Sequence, residues 1–421
     1  MDLQENTPPG GQALESEDRR HFMAQAGIAA SALALGGMGT AMAAVPASLR
    51  TVPSASGRAS LRVGMLLPDA PAYPLMGAQL MEGAQAYVAQ AAGPALQFLP
   101  VVYGNRPSQA EQAAAELLAR TGVDVLGGFV CANTAAQWEP LLAQHGVPLL
   151  VGDAGANALA PTARSAWVVR NSLAYWQTAW ATGRWAAKAL GPRAIVATAP
   201  ADSAFDHLPA FERGFASAGG RVQDMVFTSA PNGTSRLDTL AQKISQTRPD
   251  FVYVLASGAD AAAFRQFWTA SGIASQLPLV AAGMLGEDLA RSPRVAGQVW
   301  AARTHAGNHP APAARASALP TPFHLLGFEM AQRMHAAAAQ GGGQARGLAL
   351  AQAMASAALQ TPRGEVRIDP STGETVAPIH LQGLHQGPAT AAIALPAAAA
   401  AACQGLCDVL TSRALGTYLA T

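Results

Sequence analysis

Short apolar runs alternate along the chain with longer stretches in which apolar residues recur every three or four positions. Runs such as 60–68, 123–128 and 147–152 have the length and composition of buried strands. The stretches between them, such as 78–93, have the spacing of helices that bury one face. Strands that alternate with helices in this way predict an α/β fold with a parallel sheet covered on both faces.

The alternation restarts after residue 172. A predicted helix over 173–190 opens a second series of strands and helices, about as long as the first, which ends near residue 283. A chain of 421 residues is also too long for one ordinary hydrophobic core. We therefore predict two α/β lobes with a cleft between them, a common location for small-molecule sites.

Two polar turns follow neighbouring strands of the first series. Residues 131–134 (CANT) come after one predicted strand, and residues 153–157 (DAGAN) come after the next. In an open parallel sheet these turns emerge on the same edge, where such folds bind small molecules. The sequence therefore predicts a binding ledge built from both turns.

The composition excludes two classes of protein. Half of the residues are hydrophobic, 13% are charged and the formal net charge is +1. A nucleic-acid-binding surface needs a basic excess, and a disordered chain combines low hydrophobicity with high net charge. We therefore expect a folded protein that does not bind nucleic acid.

An export signal is predicted at residues 1–43. Arg19 and Arg20 precede Phe22 and Met23, a pattern that resembles a twin-arginine signal, and a mildly apolar Ala/Gly-rich stretch follows. The end of that stretch, AMA, supplies the small residues that a signal peptidase reads. We expect export to the periplasm by the twin-arginine route; the alternatives are a short membrane anchor or a chance arginine pair.

No metal, disulfide, cofactor or catalytic site is predicted. The three cysteines, Cys131, Cys403 and Cys407, include no CxxC pair. His305 and His309 are four apart, but they lie in a Gly/Pro-rich stretch where helical spacing has no meaning. Nucleophile-elbow, Walker and HExxH motifs are absent from the sequence. These observations favour a binding protein over an enzyme.

Laid out in this order, the chain resembles the type I periplasmic solute-binding proteins of the branched-chain amino-acid (Leu/Ile/Val) ABC transporter family. The resemblance covers about residues 61–381. It is carried, in order, by VGMLLP, GVDVLGGFVCANTAAQWEPLLAQHGVPLLVGDAGANAL, VVRNS, DSAFDHLPAFERGFASAGGRV, RPDFVYVLASGADAAAFRQFWTASGI and TPRGEVRID. Each segment is weakly specific alone, and their order and spacing are what identify the family.

The resemblance implies two lobes joined by three crossovers, each lobe built from separate segments. Lobe one would comprise residues 60–173 and 281–355, and lobe two residues 174–280 and 356–395, with an Ala-rich helical tail, 396–421, outside the main fold. Members of the family close their lobes around a small-molecule ligand and deliver it to the membrane permease of an ABC importer. The resemblance therefore implies that partner, and we expect a monomer.

This sequence departs from the family at the ligand site that the resemblance implies. The family's first-turn serine falls on Ala132 and its second-turn threonine on Gly155. The lobe-two tyrosine and acidic residue that meet a ligand ammonium fall on Phe205 and about Thr234. The remaining expected ligand-binding residues are Cys131, Asn133, Thr134, Asp153 and Ala154 on the two turns, and Tyr73, Leu75 and Met76 on the loop after the first strand.

These substitutions argue against a free amino acid as the ligand. A carboxylate in the cleft needs donors, and Asp153 would repel it unless protonated or paired. An ammonium needs an acceptor that Phe205 and Thr234 do not supply well, and a buried unpaired charge is costly. We expect a small ligand that is neutral, aromatic or amide-like, or that carries a cation for Asp153. In the alternative arrangement Asp153 points to solvent and backbone N–H groups hold a carboxylate.

The prediction is therefore an exported receptor that captures a small organic ligand, other than a standard branched-chain amino acid, for an ABC importer. A periplasmic sensor that passes ligand occupancy to a membrane signalling partner would use the same fold. An enzyme on this scaffold is a third alternative.

Overall fold

The structure is a computed structural model. It describes residues 60–291, 297–305, 321–340, 344–384, 393–395 and 418–419. The predicted export signal, Cys403, Cys407, His309 and the Ala-rich tail apart from Tyr418 and Leu419 lie outside the described residues.

The strands of the described residues form two main sheets and a small one. In chain order they are β1 (Ser60–Pro68), β2 (Ala95–Tyr103), β3 (Val125–Phe129), β4 (Leu149–Asp153), β5 (Val168–Ser172), β6 (Arg193–Thr198), β7 (Arg221–Phe227), β8 (Phe251–Leu255), β9 (Leu279–Ala282), β10 (Val299–Arg303), β11 (Leu359–Thr361), β12 (Gly364–Ile368), β13 (Thr375–Val376), β14 (Ile379–Gly383) and β15 (Ile393–Leu395). The first sheet has the order β2-β1-β3-β4-β5, with all neighbours parallel. The second has the order β15-β14-β10-β9-β8-β6-β7, in which β14 is antiparallel to both of its neighbours, β10 and β15. The third is the antiparallel sheet β11-β12-β13.

Helices cover the sheets, and in chain order they are α1 (Met76–Val88), α2 (Pro107–Arg120), α3 (Ala132–Ala135), α4 (Glu139–His145), α5 (Tyr175–Ala189), α6 (Pro200–Ser203), α7 (His207–Ser217), α8 (Leu237–Thr247), α9 (Gly258–Ala270), α10 (Gly283–Arg291), α11 (Pro322–Gln340) and α12 (Gly347–Ser356). Every residue of β3, β4 and β8 is buried, because helices pack on both faces of each main sheet. This explains why these strands are continuous apolar runs instead of alternating patterns. The predicted fold class, two doubly wound α/β lobes joined by crossovers, is confirmed. Among the helices of the described ranges, none has the length and hydrophobicity of a bilayer span.

Within the described residues up to β14, the chain passes between the two main sheets three times. It leaves the first sheet after β5, returns as α11, which packs on α1, and crosses again before β14. The predicted division assigned residues 281–355 to the first lobe, but β10 pairs with β9 and β14 in the second sheet. The buried run of β10 extends that sheet by one strand, so the return to the first sheet comes after residue 305.

Two glycines allow α1 and α11 to touch. A Cβ at Gly83 would overlap the carbonyl oxygen of His324, and a Cβ at Gly327 would overlap the carbonyl oxygen of Leu80. The helix backbones therefore meet without intervening side chains. This contact fixes α11 against the first sheet although some 240 residues separate it from α1 in the sequence.

A buried polar network joins α11 to the end of β5. The Arg363 guanidinium donates to both oxygens of Glu329, at 2.7 and 2.6 Å, and to the carbonyl oxygen of Ser172 at 3.0 Å. Asn171 donates to Glu329 at 3.1 Å and accepts from Arg333 at 3.1 Å. Because each buried charge has partners, the network stabilises the first crossover and holds the end of β5 in place.

Candidate functional site

The two polar turns lie side by side at the carboxyl edge of the first sheet. β3 and β4 are parallel neighbours, so residues 131–134 and 153–157 emerge together, as the sequence predicts. Asn133 links the turns: its Nδ2 donates to the carbonyl oxygen of Ala158 at 3.2 Å, and its Oδ1 accepts from the Ala160 N–H at 3.0 Å. The ledge is therefore braced by hydrogen bonds within the protein.

A buried arginine neutralises Asp153. Arg170, on β5, donates through Nε to both Asp153 oxygens at 3.0 and 3.2 Å, and through Nη1 to Glu374 at 3.1 Å. Asp153 also accepts the Gly155 N–H at 2.9 Å. Burial alone would lower the pKa of Arg170, but the Asp153 and Glu374 carboxylates raise it above its ordinary range. Asp153 is therefore paired within the protein, and the guanidinium stays charged.

The second sheet contributes an acidic and aromatic surface to the same cleft. α6 and the residues after it carry Asp202, Phe205 and His207, of which Asp202 and His207 are fully buried. Asp202 accepts a hydrogen bond from the Ser257 hydroxyl at 2.8 Å and another from the Tyr418 hydroxyl. Burial, opposed by the hydrogen bonds from Tyr418 and Ser257, raises the pKa of Asp202 to about 6. This surface can receive a hydrogen-bond donor beside an aromatic ring.

Hydrogen bonds close the cleft between the two sheets. Asp206 accepts the Ala158 N–H at 3.0 Å, and its own N–H donates to Asn157 Oδ1 at 3.0 Å. On the other side of the cleft, the Gly258 N–H donates to the Tyr73 hydroxyl at 2.7 Å. These contacts connect turns of opposite sheets, so they form only when the cleft is closed.

The Asp206 contact makes stability depend on pH. Burial, opposed by the Ala158 N–H and by Arg170, raises the pKa of Asp206 from 3.8 to about 7. A carboxyl group whose pKa is raised by folding stabilises the folded state fully at pH values below its pKa in the unfolded chain. This stabilisation is lost as the pH rises through its pKa in the folded protein. We expect the melting temperature of Asp206→Asn, measured relative to the native protein, to increase between about pH 5 and pH 8.

Asp250→Asn is the control for this prediction. Hydrogen bonds from Arg193 lower the pKa of the native Asp250 carboxyl group, so this group stays ionised across that pH range. The melting-temperature difference between Asp250→Asn and the native protein should therefore be constant. A constant difference for Asp206→Asn as well would contradict the assignment.

The structure brings most of the predicted site residues together in two cavities. The first is lined by Cys131, Ala132, Asn133, Asp153, Ala154, Gly155 and Phe205 among the predicted residues, and the Tyr418 ring lies in it. The second includes Tyr73, Leu75 and Met76, although the Leu75 side chain is 63% exposed. Two predicted residues lie elsewhere. The Thr134 hydroxyl donates to the carbonyl oxygen of Cys131 at 3.0 Å. Thr234 is exposed on a turn, where its backbone N–H donates to Oδ1 of Asn232 at 3.1 Å.

Several residues of the site were missed in the sequence. Arg170, Asn157 and Tyr418 line the first cavity, and Asp202 and Asp206 adjoin it. Arg170 carried a recognisable signal, because a charge inside the apolar run WVVRNS requires a buried partner. Tyr418 carried none, and the prediction that its tail lies outside the main fold is wrong for Tyr418 and Leu419, which are 7% and 4% exposed.

The described residues contain no group of three or more His, Cys, Asp or Glu side chains placed to hold a metal ion. His305 is buried beside Arg303, whose Nη2 lies 3.3 Å from its Nε2. Burial lowers the pKa of His305 to about 4. Its ring is therefore neutral at pH 7 and belongs to the packing of the second sheet.

The chain matches known proteins over most of its described length. The family model described as periplasmic binding protein matches residues 60–388. A curated relative, Leu/Ile/Val-binding protein homolog 6 of Brucella melitensis biotype 1, is 27% identical over 235 residues, which cover 54% of this chain and 59% of the relative. The chain thus spans less than two thirds of the length of the curated relatives it matches.

Solved structures share the fold. A solute-binding protein of an ABC transporter from R. palustris, in complex with benzoate, has a TM-score of 0.63 at 24% identity, over 80% of this chain and 98% of that one. Another from R. palustris, in complex with 4-hydroxybenzoate, has a TM-score of 0.64 at 21% identity, over 80% of this chain and 96% of that one.

Proposed function

Because the chain belongs to the periplasmic binding protein family, we propose that it is an exported receptor that captures a small aromatic ligand in the cleft between its two sheets. The ligand is delivered to the membrane permease of an ABC importer. Lobe one is built on the first sheet with α11 and α12, and lobe two on the second sheet. Residues 1–43 direct export to the periplasm by the twin-arginine route.

The observation that carries the proposal is an aromatic ring already held in the cleft. The Tyr418 ring packs edge-on against Phe205, with 4.7 Å between the ring centroids. It lines the same cavity as the two turns of the first sheet. A cleft that accommodates a phenol ring in contact with Phe205 has the size and surface for a small aromatic ligand.

The charges around the cavity favour a neutral ligand over a carboxylate. Among the described residues that line this cavity, Arg170 is the one cation. Its guanidinium faces Asp153 and Glu374, and its charge also opposes the rise that burial causes in the pKa of Asp206. A ligand carboxylate placed there would meet an excess of acidic groups, and the guanidinium is already engaged by two of them. The R. palustris proteins bind benzoate and 4-hydroxybenzoate. We expect this chain to prefer the ring of such a compound with an uncharged polar group.

A standard branched-chain amino acid fits less well. Its carboxylate would meet Ala132 and Gly155, which have no side-chain donor, beside the acidic group of Asp153. Its aliphatic side chain would not reproduce the edge-on ring contact at Phe205. The proposed function contains no catalytic step: the ligand is bound in the cleft and released unchanged.

A thermal-shift screen of the native protein tests this proposal. Binding to the folded state alone raises the melting temperature by mass action. We expect hydroxylated neutral aromatics such as 4-hydroxybenzamide to raise it most, 4-hydroxybenzoate less, and leucine, isoleucine and valine not at all. A shift with the three amino acids and none with the aromatic compounds would overturn it.

A further inference from the structure

Tyr418 comes from a distant part of the sequence, yet it is bound in the cleft as a ligand would be. Its side chain is 7% exposed and contacts the second-sheet side of the cavity. The ring packs edge-on against Phe205 and against His207, with centroid distances of 4.7 and 5.1 Å. These two rings and the cavity wall enclose the phenol on several sides.

The phenol hydroxyl has a dedicated partner. It donates to one oxygen of Asp202, and the other oxygen accepts the Ser257 hydroxyl at 2.8 Å. Asp202 is fully buried, and its backbone carbonyl oxygen is 2.9 Å from Nε2 of His207. Burial lowers the pKa of His207 to about 3, so its ring is neutral at pH 7 and Nε2 donates to that carbonyl. The carboxyl group of Asp202 is therefore oriented for a donor from the cleft.

We propose that Asp202, Ser257, Phe205 and His207 form a subsite for an aromatic ring that bears a hydroxyl donor, and that Tyr418 occupies this subsite as an intramolecular competitor. This inference rests on the proposed function and adds to it the ligand's phenolic hydroxyl and the step by which the ligand enters. The ligand places its hydroxyl on Asp202 by displacing the Tyr418 ring. Occupancy of the subsite and the position of Tyr418 are then mutually exclusive.

Competition of this kind has a thermodynamic consequence. The apparent affinity of the ligand is reduced by the fraction of molecules in which Tyr418 is displaced. Removing the Tyr418 side chain should therefore increase affinity for ligands that use the subsite. It should leave unchanged the binding of any molecule that does not enter the subsite.

The direct experiment uses p-cresol, which reproduces the tyrosine side chain, and toluene, which lacks the hydroxyl. We expect p-cresol to raise the melting temperature of full-length Tyr418→Ala in a saturable manner and to leave the native protein unaffected. Toluene should bind Tyr418→Ala at least about tenfold more weakly, because it has no hydroxyl to donate to the charged Asp202 carboxylate. Equal effects of p-cresol on both proteins, or equal binding of p-cresol and toluene, would overturn the proposal.

Two further variants extend the test. Tyr418→Phe keeps it falsifiable even if Tyr418→Ala does not fold, because phenylalanine lacks the hydroxyl that Tyr418 places on Asp202, so p-cresol should bind Tyr418→Phe more tightly than the native protein. Tyr418→Phe retains the ring, so p-cresol should bind it more weakly than Tyr418→Ala. Asp202→Asn, combined with Tyr418→Ala, should reduce the preference for p-cresol over toluene, and an unchanged preference would contradict the role of Asp202.

The proposed function and this inference can fail separately. If p-cresol fills the subsite of Tyr418→Ala while no larger aromatic compound binds either protein, the subsite stands and the proposed function fails. If 4-hydroxybenzamide binds the native protein and Tyr418→Ala with equal affinity, the proposed function stands and the competition by Tyr418 is refuted.

Discussion

Arg170→Met is expected to lower the free energy of unfolding by about 3–5 kcal/mol, the range found when one partner of a buried ion pair is removed. Arg170 and Glu374 have side chains that are each 4% exposed, and that of Asp153 is 10% exposed. Without the guanidinium, two carboxyl groups would face each other away from water. At least one of them would have to take up a proton before the site could form.

The destabilisation by Arg170→Met should be smaller at about pH 5 than at about pH 8, because the remaining carboxyl groups can then be protonated. Urea denaturation of both proteins at the two pH values measures it. Arg193→Met is the matched control: Arg193 pairs with Asp250 at 2.7 Å, but its side chain is 51% exposed, so this substitution should change stability little. Similar losses for the two variants would contradict a buried charge cluster at the cleft.

Gly327→Ala is expected to destabilise the protein by at least about 2 kcal/mol, although alanine is the better helix former by about 1 kcal/mol. The new Cβ would overlap the carbonyl oxygen of Leu80 on α1. Backbone atoms at a helix crossing cannot rotate away as a side chain can, so α1 and α11 would have to separate. Such a separation would loosen the attachment of α11 to the first sheet.

Gly122→Ala provides the comparison for Gly327→Ala. Gly122 is exposed, and a Cβ there would lie 3.4 Å from the flexible end of Arg62, at the edge of ordinary contact. Denaturation of the two variants under the same conditions separates the helix contact from a general effect of replacing glycine. A neutral or stabilising Gly327→Ala would show that the two helices do not touch as described.

Local patterns in the sequence predicted the fold and the side of the site that lies on the first sheet. The turns 131–134 and 153–157 lie at one edge because β3 and β4 are parallel, and that pairing follows from the alternation of strands and helices. Phe205 was placed in the cleft through the resemblance, and it lines the first cavity. The resemblance equates Thr234 with the family's acidic residue, but Thr234 lies on an exposed turn and not in the cleft. The loop between β7 and α8 has no periodicity from which the residue that faces the cleft could be predicted.

The rest of the site depends on contacts that no local pattern contains. Arg170 meets Glu374 across 204 positions, and Tyr418 meets Asp202 across 216. Neither separation follows from helix or strand periodicity. The sequence left open whether Asp153 is paired. Its partner, Arg170, lies on β5, and the two side chains meet only because β5 pairs with β4 in this register.

The most direct test of the proposed function is a calorimetric titration of 4-hydroxybenzamide and L-leucine into the native protein and into Tyr418→Ala at neutral pH. We expect saturable one-to-one binding of 4-hydroxybenzamide, with a dissociation constant below about 1 mM in Tyr418→Ala and weaker binding in the native protein, and no heat of binding with leucine. Saturable binding of leucine at micromolar concentrations, with no binding of the aromatic compound to either protein, would contradict it.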